Sequence, residues 1–182
     1  MIRRVAKSPC ATKHAFRRAS SSTNSGYRAA AARDAIAAAA GAPPKGWCGQ
    51  DFNESWDTPA ILAEAGFDYT TDWTNDDRPF LLGPYGGKTL VALPPQAEWG
   101  DLDAMWIRRV SAPAWADGLA EAFHVLHAEG GGVFNLTLHP WIAGQPHRIR
   151  YLRDALTRIM GLRGIWKTTT DDLAAAARPQ LG

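Results

Sequence analysis

The chain has 182 residues, 46% of them hydrophobic and 21% charged, which is enough to bury a core as one domain and too apolar for a disordered tail. No apolar run approaches the roughly 18 residues that a membrane span needs, since the Ala-rich stretch from Ala29 to Ala40 is broken by Arg33 and Asp34. Cys10 and Cys48 have no Cys-x-x-Cys spacing, so neither a disulfide framework nor a zinc knuckle is expected, and the default setting is a reducing, cytoplasmic one.

The net charge of +2 conceals an asymmetry. Residues 1–33 carry eight Lys or Arg and no Asp or Glu, leaving 12 basic against 18 acidic residues from position 34 onward. Residues 1–27 also lack apolar periodicity and read as a basic, disordered or non-native leader ahead of a domain at 28–182. Three readings stand open for this leader: an organellar transit peptide, a basic arm for a polyanion, or a stretch foreign to the domain.

Arg28 to Ala40 is a strong helix former, stopped by Gly41-Ala42-Pro43-Pro44. Lys45 to Gly49 follows as a short strand leaving into a loop. A helix over Pro59 to Glu64 can be capped by Ser55 or Asp57 and closed by Ala65-Gly66. Phe67 to Trp73 is the second strand, Thr74 to Pro79 a polar loop, and Thr89 to Leu93 a third strand stopped by Pro94-Pro95. A helix over Pro113 to Ala128 leads through Gly130-Gly131-Gly132 into Val133 to Leu138, which reads as an interior strand. A helix near Pro146 to Ile159, a strand at Gly164 to Thr168 and a helix from Thr170 to Ala177 complete the pass. This alternation argues for parallel strands with helices outside, in an α/β fold. The chain is short of the about 250 residues of a closed eight-stranded barrel, so a barrel here is a partial one.

Chemistry is expected where the His139 strand runs out into Pro140, because open α/β folds collect catalytic side chains at carboxyl ends of strands. A histidine there serves as acid or base near neutral pH, and a plain loop hydrogen bond explains it equally well. Asp72 is similarly placed at the end of the second strand, while Asp76 and Asp77 suit turn-making. The His124-x-x-His127 pair reads as packing or surface histidines. Arg148 and Arg150 suit an anionic group or a pairing with Asp72. No Gly-x-Gly-x-x-Gly or Gly-x-Ser-x-Gly motif supports a nucleotide cofactor or a serine nucleophile. Eight tryptophans suit either aromatic cleft walls or core filling.

In order, Gly46-Trp47-Cys48-Gly49, Asn53 to Pro59, Ala65-Gly66-Phe67-Asp68-Tyr69, Asp72 to Pro79 and Leu138-His139-Pro140 resemble the polysaccharide deacetylase (NodB-homology) family, closest to its allantoinase-like, cyclic-imide-hydrolysing branch. The resemblance runs from about Arg28 to Ala177. It implies the carboxyl-terminal portion of an irregular (β/α) barrel that hydrolyses a carbon–nitrogen bond in an N-acetylated sugar or a small amide through a metal-bound water. It makes His139 the acid that protonates the leaving nitrogen and Asp72 its catalytic companion. Trp47, Trp73, Asp76, Asp77 and Arg148 are the expected substrate-binding residues.

The family's first metal-site motifs have no counterpart upstream of Asp34. No metal ligand is therefore assigned, and a zinc-like divalent metal is expected only for a full-length relative. The expectation is a truncated hydrolase, weak or inactive alone, that self-associates through exposed barrel edges. It takes a sugar or small-molecule substrate and binds neither membrane nor nucleic acid. The alternative is a non-catalytic module for a sugar, a small cyclic ligand or a polyanion.

Overall fold

The computed structural model describes residues 21–130 and 132–182. Most of the predicted basic leader, including Cys10 and His14, lies outside the described residues. The chain divides into two compact units.

The first unit comprises, among described residues, 21–72, 79–93 and 169–182. Helix α1, Ser21–Ala40, starts seven residues earlier than expected and ends where Gly41 takes a left-handed φ of 79°. Strand β1, Gly46–Trp47, is followed by α2, Thr58–Glu64, with Pro59 in its first turn and Gly66 at φ 85° beyond its end. Then come β2 (Tyr69–Thr70), β3 (Phe80–Tyr85) and β4 (Lys88–Ala92), giving an open four-stranded sheet in the order β1-β2-β4-β3.

β1, β2 and β4 are parallel, as expected. The sequence reading misses β3, which returns antiparallel on β4 through Gly86-Gly87, with Leu81 opposite Val91 and Leu82 opposite Leu90. Pro84 lies in this edge strand, where a missing N–H costs little.

Alternation along β4 divides the core. Leu90 packs with Ala29, Leu62, Ala63 and Phe67 from the side of α1 and α2. Val91 and Leu93 pack with Ala174 and Ala177 of α5, Thr170–Leu181. Arg178 pins α5 down by donating to the carbonyls of Thr89 (3.2 Å) and Asp68 (2.8 Å). A mixed α/β fold with an unclosed sheet is what a partial barrel requires.

The second unit, residues 73–78 and 94–168, is mainly helical. A π-helical turn at Leu102–Ile107 precedes α3, Ala112–Ala128, whose first turn is capped by the Ser111 hydroxyl accepting from the Ala114 amide. Helix α4, Ile149–Met160, packs Leu152, Ala155 and Ile159 against Trp115, Leu119 and Ala120 of α3. His127 bonds the Arg163 carbonyl at 2.8 Å and stacks on Phe123, in line with the packing reading of the His pair.

Two expected strands are corrected. Val133 to Leu138 is extended but, among the described residues, makes a single parallel bridge, Asn135 to Pro95. The prolines opposite it explain this, because Pro94 and Pro95 have no N–H to offer a ladder. Gln96 supplies the bonds instead, from its amide to Asn135 O (2.8 Å) and its side chain to Val133 O (3.1 Å). Gly164 to Thr168 likewise forms no strand. Among the described residues no helix is long and apolar enough to cross a membrane.

Candidate active site around His139

The extended 133–138 segment ends at His139, and the chain turns at once. The amides of Ile142 and Ala143 both donate to the His139 carbonyl, at 2.9 and 3.0 Å. Ile142 and Ala143 are buried, so apolar packing anchors the turn. Gly144 completes it, because a Cβ at that position would run into the Pro140 carbonyl.

Asp101, fully buried just before the π-turn, meets this turn. One carboxylate oxygen lies 2.7 Å from Nδ1 of His139; the other accepts the backbone amides of His139 (2.8 Å) and Ala143 (3.1 Å). An ionised carboxylate can only accept, so the Nδ1 position must carry a proton. Nε2 is left as the atom that exchanges protons, on a side chain that is 32% exposed. The same Asp101 thus fixes the loop and the imidazole tautomer.

The π-turn also brings Trp106 against Trp141, with ring centroids 5.3 Å apart, and Trp141 stands 5.8 Å from the His139 ring. Both indoles are about half exposed. Such a ledge beside a proton-exchanging group suits a ring-shaped ligand, and π-turns recur at functional sites.

Arg148 joins this group of residues, donating to the Ile142 carbonyl at 3.3 Å. Asp72, in the sheet unit, is buried and spends both carboxylate oxygens on the Gly49 amide (2.8 and 2.9 Å), with a further 3.2 Å bond from the Thr70 hydroxyl. That geometry ties the loop after β1 to the end of β2. Trp47 packs edge-on against Phe67 in the same unit, and Trp73 is half-buried in the helical one.

Asp76 closes a turn by accepting the amides of Asp77 (2.8 Å) and Arg78 (3.2 Å). Asp77, its carboxyl pushed up by burial and then by Asp76, lines a mostly apolar cleft of about 390 Å³ with Trp99, Leu126 and Phe134. Cys48 is exposed in the sheet unit, and partial desolvation and the Asp72 charge push its thiol up.

Sequence reasoning singled out His139 and Arg148 but missed Asp101, Trp106 and Trp141. Among the described residues no group of three or more His, Cys, Asp or Glu could hold a metal ion. The donors described do not fit a divalent metal.

No protein-family model and no curated protein matches the chain. Solved structures do. A protein described as a polysaccharide deacetylase from Mycobacterium smegmatis is similar at TM-score 0.77 and 25% identity over 88% of this chain. Puue allantoinase is similar at TM-score 0.78 and 22% identity over 86% of it. The chain has the polysaccharide deacetylase fold. A third, described as a polysaccharide deacetylase from Pseudomonas aeruginosa PAO1, gives TM-score 0.74 at 21% identity over 82% of this chain. At identities this low, the likeness to the latter two rests on the fold alone. The resemblance drawn from the segments between Gly46 and Pro140 is borne out at the level of the fold. The chain spans 59%, 53% and 51% of the lengths of these three neighbours.

Proposed function

We propose that this deacetylase-fold chain serves hydrolysis of a carbon–nitrogen bond, with His139 as the acid and Asp101 as its positioning residue. The single observation that carries the reading is the 2.7 Å contact between His139 Nδ1 and the buried Asp101, which presents Nε2 outward. In hydrolysis, water adds to the carbonyl carbon and the C–N bond then breaks. Nε2–H supplies the proton that lets nitrogen leave as a neutral amine, and the imidazole regains its proton from solvent. Avoiding an amide anion is the source of the rate gain, about 10²–10⁴-fold for a positioned acid.

The substrate in this reading is an N-acylated sugar or a small cyclic amide lying against Trp141 and Trp106, with Arg148 nearby. The described residues supply neither a metal site nor a base beside His139. Turnover by the chain alone is therefore weak. The test is amine or ureide release from N-acetylated amino-sugar oligomers and a panel of cyclic ureides and imides. Slow release that His139→Ala lowers by about 10²-fold or more supports the reading; release unchanged in that variant refutes it.

A second reading, a non-catalytic module for a sugar or cyclic ligand, is favoured by the exposed Trp106–Trp141 pair. Ligand binding without any turnover, retained in His139→Ala, would establish it in place of the first.

A further inference from the structure

The helical unit holds a second cavity, of about 420 Å³, lined in part by Met105, Arg109, Ser111, His147, Arg148 and Tyr151. No Asp or Glu among the described residues lines it. Among the described residues, neither Arg109 nor Arg148 forms an ion pair with a carboxylate, although Arg108 and Arg158 of the same unit do. Arg148 gives one N–H to the Ile142 carbonyl, and most of its fork remains to be used.

Arg109 sits at a left-handed φ of 58°, uncommon for a residue with a side chain, and its guanidinium stands 5.3 Å from the centre of the Trp106 ring. Stacking orients that cation without neutralising it. The hydroxyls are arranged in the same sense. Ser111 Oγ accepts from the Ala114 amide and Tyr151 Oη accepts from Arg150, so each O–H is left to donate. Two arginines, a histidine and two hydroxyls around one opening offer several donors to a single acceptor group. Guanidinium forks match tetrahedral or planar oxyanions in two-bond geometry.

We infer that this cavity binds a small oxyanion group, a phosphate or a carboxylate, held chiefly by Arg109 and Arg148. The cavity shares Arg148, and through the Arg109–Trp106 stack the aromatic ledge, with the hydrolase reading, but the inference rests on no property of His139.

The test is a titration of the full chain with inorganic phosphate and, separately, acetate, followed by amide shifts in ¹H–¹⁵N spectra. The expected result is saturable binding whose shifts cluster at residues 109–112 and 147–151. Arg109→Gln and Arg148→Gln should each weaken it about tenfold, the loss of one charge-assisted contact. Lys167→Gln removes the same charge from a residue that does not line the cavity, and should leave affinity within about twofold. Tighter phosphate identifies a phosphate site and tighter acetate a carboxylate site; both support the inference. Shifts that fail to saturate by about 50 mM, map elsewhere, or weaken as much in Lys167→Gln overturn it. If Arg148→Gln fails to fold, Arg109→Gln, at an exposed position, decides the matter.

Discussion

Replacing Asp101 by Asn and by Ala separates its two jobs. The carboxylate receives three hydrogen bonds, at 2.7, 2.8 and 3.1 Å, while fully buried. Asn can keep its carbonyl where it meets the two backbone amides, exchanging charge-assisted bonds of about 1.5–3 kcal/mol for neutral ones of about 0.5–1.5. Its NH₂ then faces Nδ1 and must donate, which forces the imidazole proton onto Nε2. We expect Asp101→Asn to lose about 2–3 kcal/mol and stay folded, given a usual total of about 5–15. Asp101→Ala strands two backbone N–H groups at about 1–3 kcal/mol each and opens a cavity, so it should lose about 4–6 kcal/mol. Urea denaturation measures both losses, and imidazole ¹⁵N shifts of His139 read the tautomer directly. An Asn variant that keeps its proton on Nδ1, or that is as unstable as the Ala variant, would refute the assignment of Asp101 as the tautomer-setting group.

Other expectations follow from neighbouring geometry. Gly144→Ala drives a Cβ into the Pro140 carbonyl; it should shift the His139 turn, lower stability by about 1–3 kcal/mol and alter the His139 and Ala143 amide shifts. Tyr69 donates to Asp171 and receives the Thr170 hydroxyl, each at 2.7 Å, and its phenol is pushed up to about 12, by burial first. A raised folded value gives a stabilisation complete below the ordinary value near 10 and lost as pH climbs from there to about 12, so alkaline denaturation should show a step that Tyr69→Phe removes. Trp141→Ala should cut affinity for a ring ligand about fivefold or more with little loss of stability, read by intrinsic fluorescence and thermal melting, since that indole is half exposed. The open sheet has β1 and β3 as its edges, and sedimentation velocity should show association that grows with protein concentration.

The helices were legible because their signals are local: alanines and a Gly-Pro stop for α1, Pro59 and Gly66 around α2, and Pro113 at the start and glycines at the end of α3. The 133–138 segment shows the opposite case. Its β-prone residues do give an extended chain, but strand status depends on a partner 40 residues away, and that partner offers two prolines. β3 was missed because Gly83-Pro84 interrupts its apolar run, and a proline in such a run argues against a strand unless the strand lies at an edge. Neither failure lies in the residues of the segment itself.

The site divides along the same line. His139 could be found from its position at the end of an extended run, but nothing near it in sequence identifies the carboxylate that makes it useful. Asp101 lies 38 residues earlier, after Gly100 and before an apolar turn, where an Asp reads as an ordinary helix cap. Its actual task requires burial, and an acid buried to 0% exposure persists only if its oxygens are met, as they are by one ring nitrogen and two amides of a single turn. That turn is closed by Gly144 and anchored by Ile142 and Ala143, so the apolar packing that stabilises the helical unit also keeps the imidazole in place. Asp72 drew the same expectation as His139 from its place at the end of a strand, and both its oxygens accept from the Gly49 amide. What distinguishes these two buried aspartates is the partner: a backbone amide for Asp72, and for Asp101 a titratable ring with a free second nitrogen, which in the proposed reaction gives it a part in proton transfer.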